Sequence, residues 1–135
     1  MPELLYIDTS AFFDRLLAQN RHEEIAEATT RSLDAGGTVV SSRLLWLEAA
    51  RVRTREALLG NDLGAPIAAS LAAITRLPLT EEICQDAASI PVHVRTLDAL
   101  HLATCRAAGA TLLASDVLLT AAADSLGVPL APTRR

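Results

Sequence analysis

The chain has 135 residues, half of them hydrophobic, which predicts one domain with its own core over residues 1–135 and excludes a disordered chain. Its apolar runs are shorter than the roughly 18 residues of a membrane span, and its opening MPELLYID lacks the basic segment of a secretory signal, so we expect a cytoplasmic protein. The net charge of −4 has the wrong sign for binding nucleic acid through overall charge, although cations that neutralised four carboxylates would let a local arginine surface contact phosphate.

Short apolar runs alternate with longer segments of helical period, which predicts an α/β domain with a mostly parallel sheet. The predicted strands, in chain order, cover residues 4–7, 38–41, 77–79, 111–114 and 128–130. The predicted helices cover residues 10–19, 22–34, 43–59 and 65–76, then a segment that opens at 80–82, then 97–108 and 117–126. Ser10, Ser42 and Thr96 are the predicted caps of the first, third and sixth helices.

Two cysteines, Cys84 and Cys105, lie within apolar helical patterns. No CxxC motif and no nearby histidine partner accompanies either of them, which disfavours a metal or redox site. We interpret both as reduced residues of the core, as is typical of a cytosolic protein.

Four acids have strongly apolar neighbours, where an unpaired charge costs several kcal/mol. Asp8 directly follows LLYI, and Glu48 is the ionisable residue of LLWLEAA. Asp98 lies within TLDALHLA, and Asp116 closes TLLASD. Most of the sixteen acids, such as Glu23, lie on polar helix faces, so these four are the candidates for a functional site.

The predicted fold brings these acids toward one edge of the sheet. Asp8 and Asp116 come just after two predicted strands, and ligands of open parallel sheets bind outside those strand ends. Glu48 and Asp98 lie early in helices, so all four acids can reach one crevice. Carboxylates gathered in one crevice repel one another and destabilise the fold unless cations are present. A set of ligands that offers only oxygen atoms suits Mg²⁺ or Mn²⁺. Such a site is suited to phosphodiester hydrolysis.

Each acid also has a structural alternative. Asp8 and Asp116 can cap the helices that follow them. Glu48 can pair with Arg51 at the i+3 position, and Asp98 can stabilise the positive end of its helix. The joint occurrence of all four acids at matching positions favours the shared site.

Three neighbouring residues are weaker candidates for the same site. Ser10 can orient the first carboxylate or bind a metal-associated water, and a cap explains it as well. His101 lies three residues after Asp98 and can contact substrate or tune that acid, or it can be a buried histidine with satisfied hydrogen bonds. Arg95 can bind phosphate, or be an ordinary surface arginine.

The residues quoted so far resemble a known family. The opening YIDTSAFFDRL resembles the start of the PIN domain, and VRTLDALHLATCRAAGATLLASDVLL resembles its second half, most closely in VapC-type toxins. The resemblance implies a three-layer α/β/α fold with a short-stranded, mostly parallel sheet. It also implies a metal site formed by Asp8, Glu48, Asp98 and Asp116, with Ser10 as a supporting hydroxyl.

One position departs from the family pattern. The family often has Thr or Ser two residues before its last acid, where this chain has Ala114, with Ser115 next to it. Ser115 is therefore a candidate for supporting Asp116, whose contact with the metal can be indirect.

The function that this resemblance implies is Mg²⁺-dependent endoribonuclease activity of a toxin that forms a homodimer and is inhibited by a small VapB-like antitoxin. Two alternatives stay open, namely an RNA-processing PIN nuclease outside a toxin pair and a non-catalytic PIN-like binding module. Loss of an acid would favour the second, and this chain retains all four. The lack of lysine excludes receiver domains and haloacid-dehalogenase-like phosphatases, and a P-loop motif is missing.

Overall fold

The computed structural model describes residues 3–132, so residues 1–2 and 133–135 of the predicted domain span lie outside it. Its strands are β1 (Leu4–Ile7), β2 (Thr38–Ser42), β3 (Thr75–Leu77) and β4 (Thr111–Leu113). Its helices are α1 (Thr9–Leu16), α2 (His22–Asp34), α3 (Arg43–Leu58), α4 (Gly64–Ala72), α5 (Glu81–Ala88), α6 (Thr96–Ala107) and α7 (Val117–Ser125). Among these described residues, no helix combines the length and the hydropathy needed to cross a membrane.

The four strands form one parallel sheet in the order β3-β2-β1-β4. Side chains that alternate along a strand point to opposite faces of the sheet. Accordingly, Tyr6 and Leu112 belong to one core cluster, whereas Leu5 and Leu113 belong to the other. Helices α6 and α7 cover the first face, and α1, α2 and α3 cover the second. The predicted α/β class with a central parallel sheet is confirmed.

The third strand begins two residues earlier than predicted. The expected helix over 65–76 ends at Ala72, and β3 pairs Thr75 and Leu77 with Val40 and Ser42 of β2. The predicted strand over 77–79 contained Pro78, which has no N–H to donate to a ladder. The strand therefore lies before the proline and takes residues that we had assigned to the helix.

The predicted strand over 128–130 is reduced to an isolated parallel bridge between Leu112 and Leu130. Leu112 N donates to Pro129 O at 2.8 Å, and Ala131 N donates to Leu112 O at 2.9 Å. Continuing the ladder toward Ala110 would require an N–H at Pro129, which proline lacks.

Of the three predicted caps, the one at Ser42 is confirmed, since its side chain accepts a hydrogen bond from Leu44 N. The other two are wrong by one or two residues. Asp8 is the N-cap of α1, and Ser10 lies inside the first turn. Arg95, which precedes Thr96 and has an extended backbone, occupies the N-cap position of α6. Its side chain makes no capping hydrogen bond.

The two cysteines differ in burial. Cys105 is buried as predicted, and its burial raises the pKa of the thiol to about 12, which keeps it protonated and unreactive. Cys84 is exposed, contrary to its predicted place in the core, because the face of α5 that packs inward presents Ile83 instead.

Candidate active site

The candidate site lies beyond the carboxyl ends of the two adjacent strands β1 and β4. Asp8 follows β1 directly, and its N–H donates to Leu113 O at 3.3 Å. Asp116 closes the short loop after β4 and begins α7. Glu48 lies in the second turn of α3, and Asp98 lies in the first turn of α6. The parallel order of the strands brings these loops and helix starts to one edge of the sheet.

Asp8 is a buried carboxylate, with 2 % of its surface exposed. Its Oδ1 accepts from Ala11 N at 2.9 Å, and its Oδ2 accepts from the Ser10 hydroxyl at 2.7 Å. Burial raises the pKa of Asp8, and nearby Asp98 adds to this increase, while the two hydrogen bonds and His101 oppose it. Asp8 therefore caps α1, as one alternative expected, and its burial disfavours the charged form of its carboxyl group.

Ser10 connects Asp8 to the loop after β4. Besides donating to Asp8, its Oγ accepts from Ser115 N at 3.3 Å. The side-chain oxygen of Ser115 is buried and has no hydrogen-bond partner within the described part of the chain. The loop that carries Asp116 thus holds a buried hydroxyl, that of Ser115, whose hydrogen-bonding capacity is unused among the described residues.

Arg95 bridges two of the acids. Its Nε donates to Asp98 Oδ2 at 3.0 Å, and its Nη2 donates to Asp116 Oδ2 at 3.1 Å. Asp116 Oδ1 accepts from Leu118 N and Leu119 N, so Asp116 caps α7 as the structural alternative expected. The hydrogen bond and charge of Asp98, followed by the charge of Asp116, raise the pKa of Arg95. The guanidinium therefore neutralises part of the acidic cluster in this structure.

Glu48 is oriented by Thr9 and His101 rather than by an arginine on its own helix. Its Oε1 accepts from the Thr9 hydroxyl at 2.6 Å and lies 3.1 Å from His101 Nε2. Burial by itself would raise the pKa of Glu48, but the hydrogen bonds from His101 and Thr9, together with nearby positive charge, outweigh it and lower the pKa. The hydrogen bonds of His101 thus reach Glu48 and not Asp98, the acid that the sequence spacing suggested.

The four acids are linked through shared neighbours. Asp98 is close enough to affect the pKa of Asp8, and Arg95 contacts Asp98 and Asp116 and is close enough to affect Glu48. The carboxylate oxygens of the four acids, including the buried group of Asp8, suit a hard divalent cation. In residues 3–132, however, no three His, Cys, Asp or Glu side chains already stand in a metal-holding arrangement. An ion held by both Asp98 and Asp116 would compete with the bridge made by Arg95.

Sequence reasoning missed Tyr6 and Thr9. Tyr6 Oη lies 2.6 Å from His101 Nδ1, and Thr9 contacts both Glu48 and His101. Tyr6 was a visible signal, since it is a tyrosine inside an otherwise aliphatic strand and a buried hydroxyl needs a partner. Thr9 lies between Asp8 and Ser10, and no pattern in the sequence distinguishes it as a site residue.

Replacing Asp8 with asparagine should raise the free energy of unfolding of the metal-free protein at neutral pH. Because burial raises the pKa of Asp8, the carboxyl group keeps its proton to a higher pH in the native state than in the unfolded chain. The free energy of unfolding therefore falls as the pH rises from the unfolded pKa to the folded pKa. Asparagine does not titrate, and its Oδ1 can still cap Ala11. Denaturation in EDTA should show a larger advantage for Asp8→Asn at about pH 7 than at about pH 4.

The matched control for this measurement is Asp86→Asn, at a half-exposed acid of α5 that pairs with Arg106 outside the site. The difference in free energy of unfolding between Asp86→Asn and wild type should not grow in this way from about pH 4 to about pH 7. An Asp8→Asn advantage that shrinks toward neutral pH would contradict the account of Asp8.

Comparisons with known proteins fit this geometry. The sequence model of the PIN domain matches residues 5–124, whereas no curated protein matches the chain significantly. Among solved structures, the chain is similar to VapBC2 from Rickettsia felis bound to a promoter DNA fragment, with TM-score 0.71 and 10 % identity over 97 % of this chain and 99 % of that one.

Two further structures are similar in fold. VapC20 of Mycobacterium tuberculosis, described as a sarcin–ricin loop cleaving toxin, has TM-score 0.61 and 20 % identity over 87 % of this chain and 94 % of that one. FitAB bound to an IR36 DNA fragment has TM-score 0.63 and 21 % identity over 93 % of this chain and 92 % of that one. The matched family model covers all four acids and most of the chain, and the chain therefore belongs to the PIN domain family.

Proposed function

We propose that this chain is a Mg²⁺-dependent endoribonuclease of the VapC type that hydrolyses RNA phosphodiester bonds, with Mn²⁺ as an alternative ion. The observation that carries the proposal is the placement of Asp8, Glu48, Asp98 and Asp116 around one edge of a PIN-domain sheet. A single PIN domain over residues 1–135, a homodimer, a cytoplasmic location and a small VapB-like antitoxin belong to the same proposal.

The similar structures support the toxin assignment through their own described roles. VapC20 is described as a toxin that cleaves the sarcin–ricin loop, and VapBC2 is described as bound to a DNA fragment from its promoter. The support from these proteins is a likeness of fold, and the four acids of this chain supply the chemical part of the argument.

The four acids would hold the ion through their carboxylate oxygens. A bound Mg²⁺ polarises a phosphate group and lowers the pKa of an attacking water. Asp8 contributes a carboxyl group already withdrawn from water, and Ser10 keeps its Oδ2 oriented. Arg95 is exposed at the rim of the site, where its guanidinium can bind a phosphate of the substrate, and Arg43 at the start of α3 is a second exposed arginine.

Removal of divalent ions should abolish RNA cleavage. The purified protein, treated with EDTA and dialysed, should leave a structured RNA intact, and addition of Mg²⁺ or Mn²⁺ should restore cleavage. Circular dichroism before and after EDTA should show that the fold persists. Full cleavage in excess EDTA would contradict the metal-dependent mechanism.

Co-expression with the small open reading frame next to its gene should relieve any growth arrest that the chain causes. The two products should copurify as a complex, because a toxin of this type is neutralised by direct binding. The Asp98→Asn variant, which should not arrest growth, serves as the control for toxicity. Arrest that persists with the neighbouring product, together with no complex on gel filtration, would favour an RNA-processing nuclease outside a toxin pair.

A further inference from the structure

Three side chains, two of them buried, form a hydrogen-bonded group that ends at the carboxylate of Glu48. Tyr6 Oη lies 2.6 Å from His101 Nδ1, and His101 Nε2 lies 3.1 Å from Glu48 Oε1. Thr9 Oγ1 donates to the same Glu48 oxygen at 2.6 Å and lies 3.1 Å from His101 Nε2. Tyr6 is fully buried, and His101 is 1 % exposed. We refer to Tyr6, His101 and Thr9 as the Glu48 support.

When the imidazole of His101 is neutral, the partners of Tyr6 determine which ring nitrogen carries the hydrogen. Ser42 N donates to Tyr6 Oη at 3.2 Å, so the hydroxyl hydrogen of Tyr6 is free to point at His101 Nδ1. Because one nitrogen of a neutral imidazole accepts and the other donates, Nε2 carries the hydrogen and donates toward Glu48. The Tyr6 and His101 rings meet edge to face at 75°, with centroids 5.7 Å apart, which restricts rotation of the imidazole.

Two donors from different helices converge on one oxygen of Glu48. Thr9 belongs to α1 and His101 to α6, and both contact Oε1 of an acid carried by α3. A histidine retained only for packing would need one acceptor for its N–H. The additional hydroxyl on the same oxygen leaves Oε2 as the carboxylate oxygen for an external ligand.

We propose that Tyr6, His101 and Thr9 are positioning residues that fix Glu48 as a one-oxygen ligand. A glutamate side chain loses considerable rotamer freedom when it is ordered, and the Glu48 support removes that freedom before a ligand binds. The inference rests on the proposed function, in which Glu48 helps to hold the metal. The inference adds two points: the Glu48 support sets the orientation of this acid, and the His101 tautomer with its hydrogen on Nε2 donates to it.

The tautomer is tested directly by NMR on the metal-free protein. Two-bond ¹H–¹⁵N correlation at about pH 8, above the ordinary pKa of histidine, distinguishes a protonated from an unprotonated ring nitrogen. We expect His101 Nε2 to be protonated and Nδ1 to be unprotonated. The opposite assignment would overturn the proposal, whether or not the protein binds metal.

Substitutions at His101 separate its two contacts. His101→Gln places an amide nitrogen near the position of Nε2 and keeps a donor for Glu48, whereas His101→Asn keeps a polar atom near Nδ1 and loses that donor. We expect Mn²⁺ affinity, measured by calorimetry, to fall by about tenfold in His101→Asn and by much less in His101→Gln, since residues that orient a ligand typically change metal affinity by 10- to 100-fold. Thr9→Val should weaken binding, and Thr9→Ser should not.

A packing control comes from the same helix. Leu102→Val alters another fully buried residue of α6 and should lower the thermal midpoint without changing Mn²⁺ affinity. Equal affinity in wild type, His101→Gln and His101→Asn would overturn the positioning role and leave the proposed function intact. A wild-type protein that binds no Mn²⁺ would overturn the proposed metal site, and this role with it.

Discussion

Replacement of Asp98 by asparagine should lower the rate of RNA cleavage by about 100-fold or more, because it removes one negative charge from the group that would hold the ion. Asp98 is 9 % exposed and lies in the first turn of α6, where asparagine has nearly the same size. The fold should therefore persist, and near-native thermal unfolding should accompany the loss of activity. Single-turnover cleavage of an RNA substrate in saturating Mg²⁺ measures the effect.

The appropriate control for this loss is again Asp86→Asn, which makes the same chemical change at an acid of α5 that pairs with Arg106. It should cleave RNA at the wild-type rate, since Asp86 lies outside the group of four acids. Asp8→Asn should behave like Asp98→Asn in activity. Full activity in Asp98→Asn would contradict the proposed mechanism.

Removing the guanidinium of Arg95 should strengthen the binding of a divalent ion. Asp116 Oδ1 is engaged by two backbone N–H groups, so its remaining oxygen is Oδ2, which accepts from Arg95. Asp98 Oδ2 also accepts from Arg95. An ion held by both acids must compete with this bridge. Because the Arg95 side chain is 75 % exposed, solvent screens the ion pairs and the guanidinium can leave readily.

Calorimetry with Mn²⁺ should show about three- to tenfold tighter binding in Arg95→Gln than in wild type. Arg106→Gln removes an equal charge and one ion pair at the other end of α6 and should leave the affinity unchanged. Arg95→Lys keeps the charge without the two-point bridge, so its affinity should fall between those of wild type and Arg95→Gln. Unchanged or weaker binding in Arg95→Gln would show that Arg95 does not compete with the ion.

The arrangement of the acids followed from local patterns in the sequence. Asp8 and Asp116 end apolar runs that form adjacent parallel strands or the loops after them, and Glu48 and Asp98 interrupt apolar helical segments. The spacing of the apolar residues and the parallel direction of the strands were therefore sufficient to predict the edge of the sheet at which these residues lie. Their alternative roles as helix caps also proved real for Asp8 and Asp116.

The hydrogen bonds between the site residues did not follow from those patterns. The contact between His101 and Glu48 joins two helices, and the spacing of three residues between Asp98 and His101 suggested a local contact instead. Likewise, the Arg95 bridge to Asp116 spans 21 residues. Such pairs depend on how α3, α6 and the loop after β4 pack, which periodicity within one segment does not determine.

The differences in the fold have local causes. Pro78 and Pro129 each remove an N–H that a strand ladder needs, so one predicted strand moved and the other shrank to a bridge. Ser10 is a favourable cap residue, but Asp8 precedes the helix at the position where the backbone is still extended, and its carboxylate reaches Ala11 N.

A crystal structure of the protein soaked with Mn²⁺ tests the central claim most directly, because the anomalous signal of manganese locates the ion. We expect the ion to lie among the carboxylate oxygens of Asp8, Glu48, Asp98 and Asp116, with the Arg95 bridge opened. A soaked crystal in which both Arg95 ion pairs persist and no ion lies among the four acids would contradict the account.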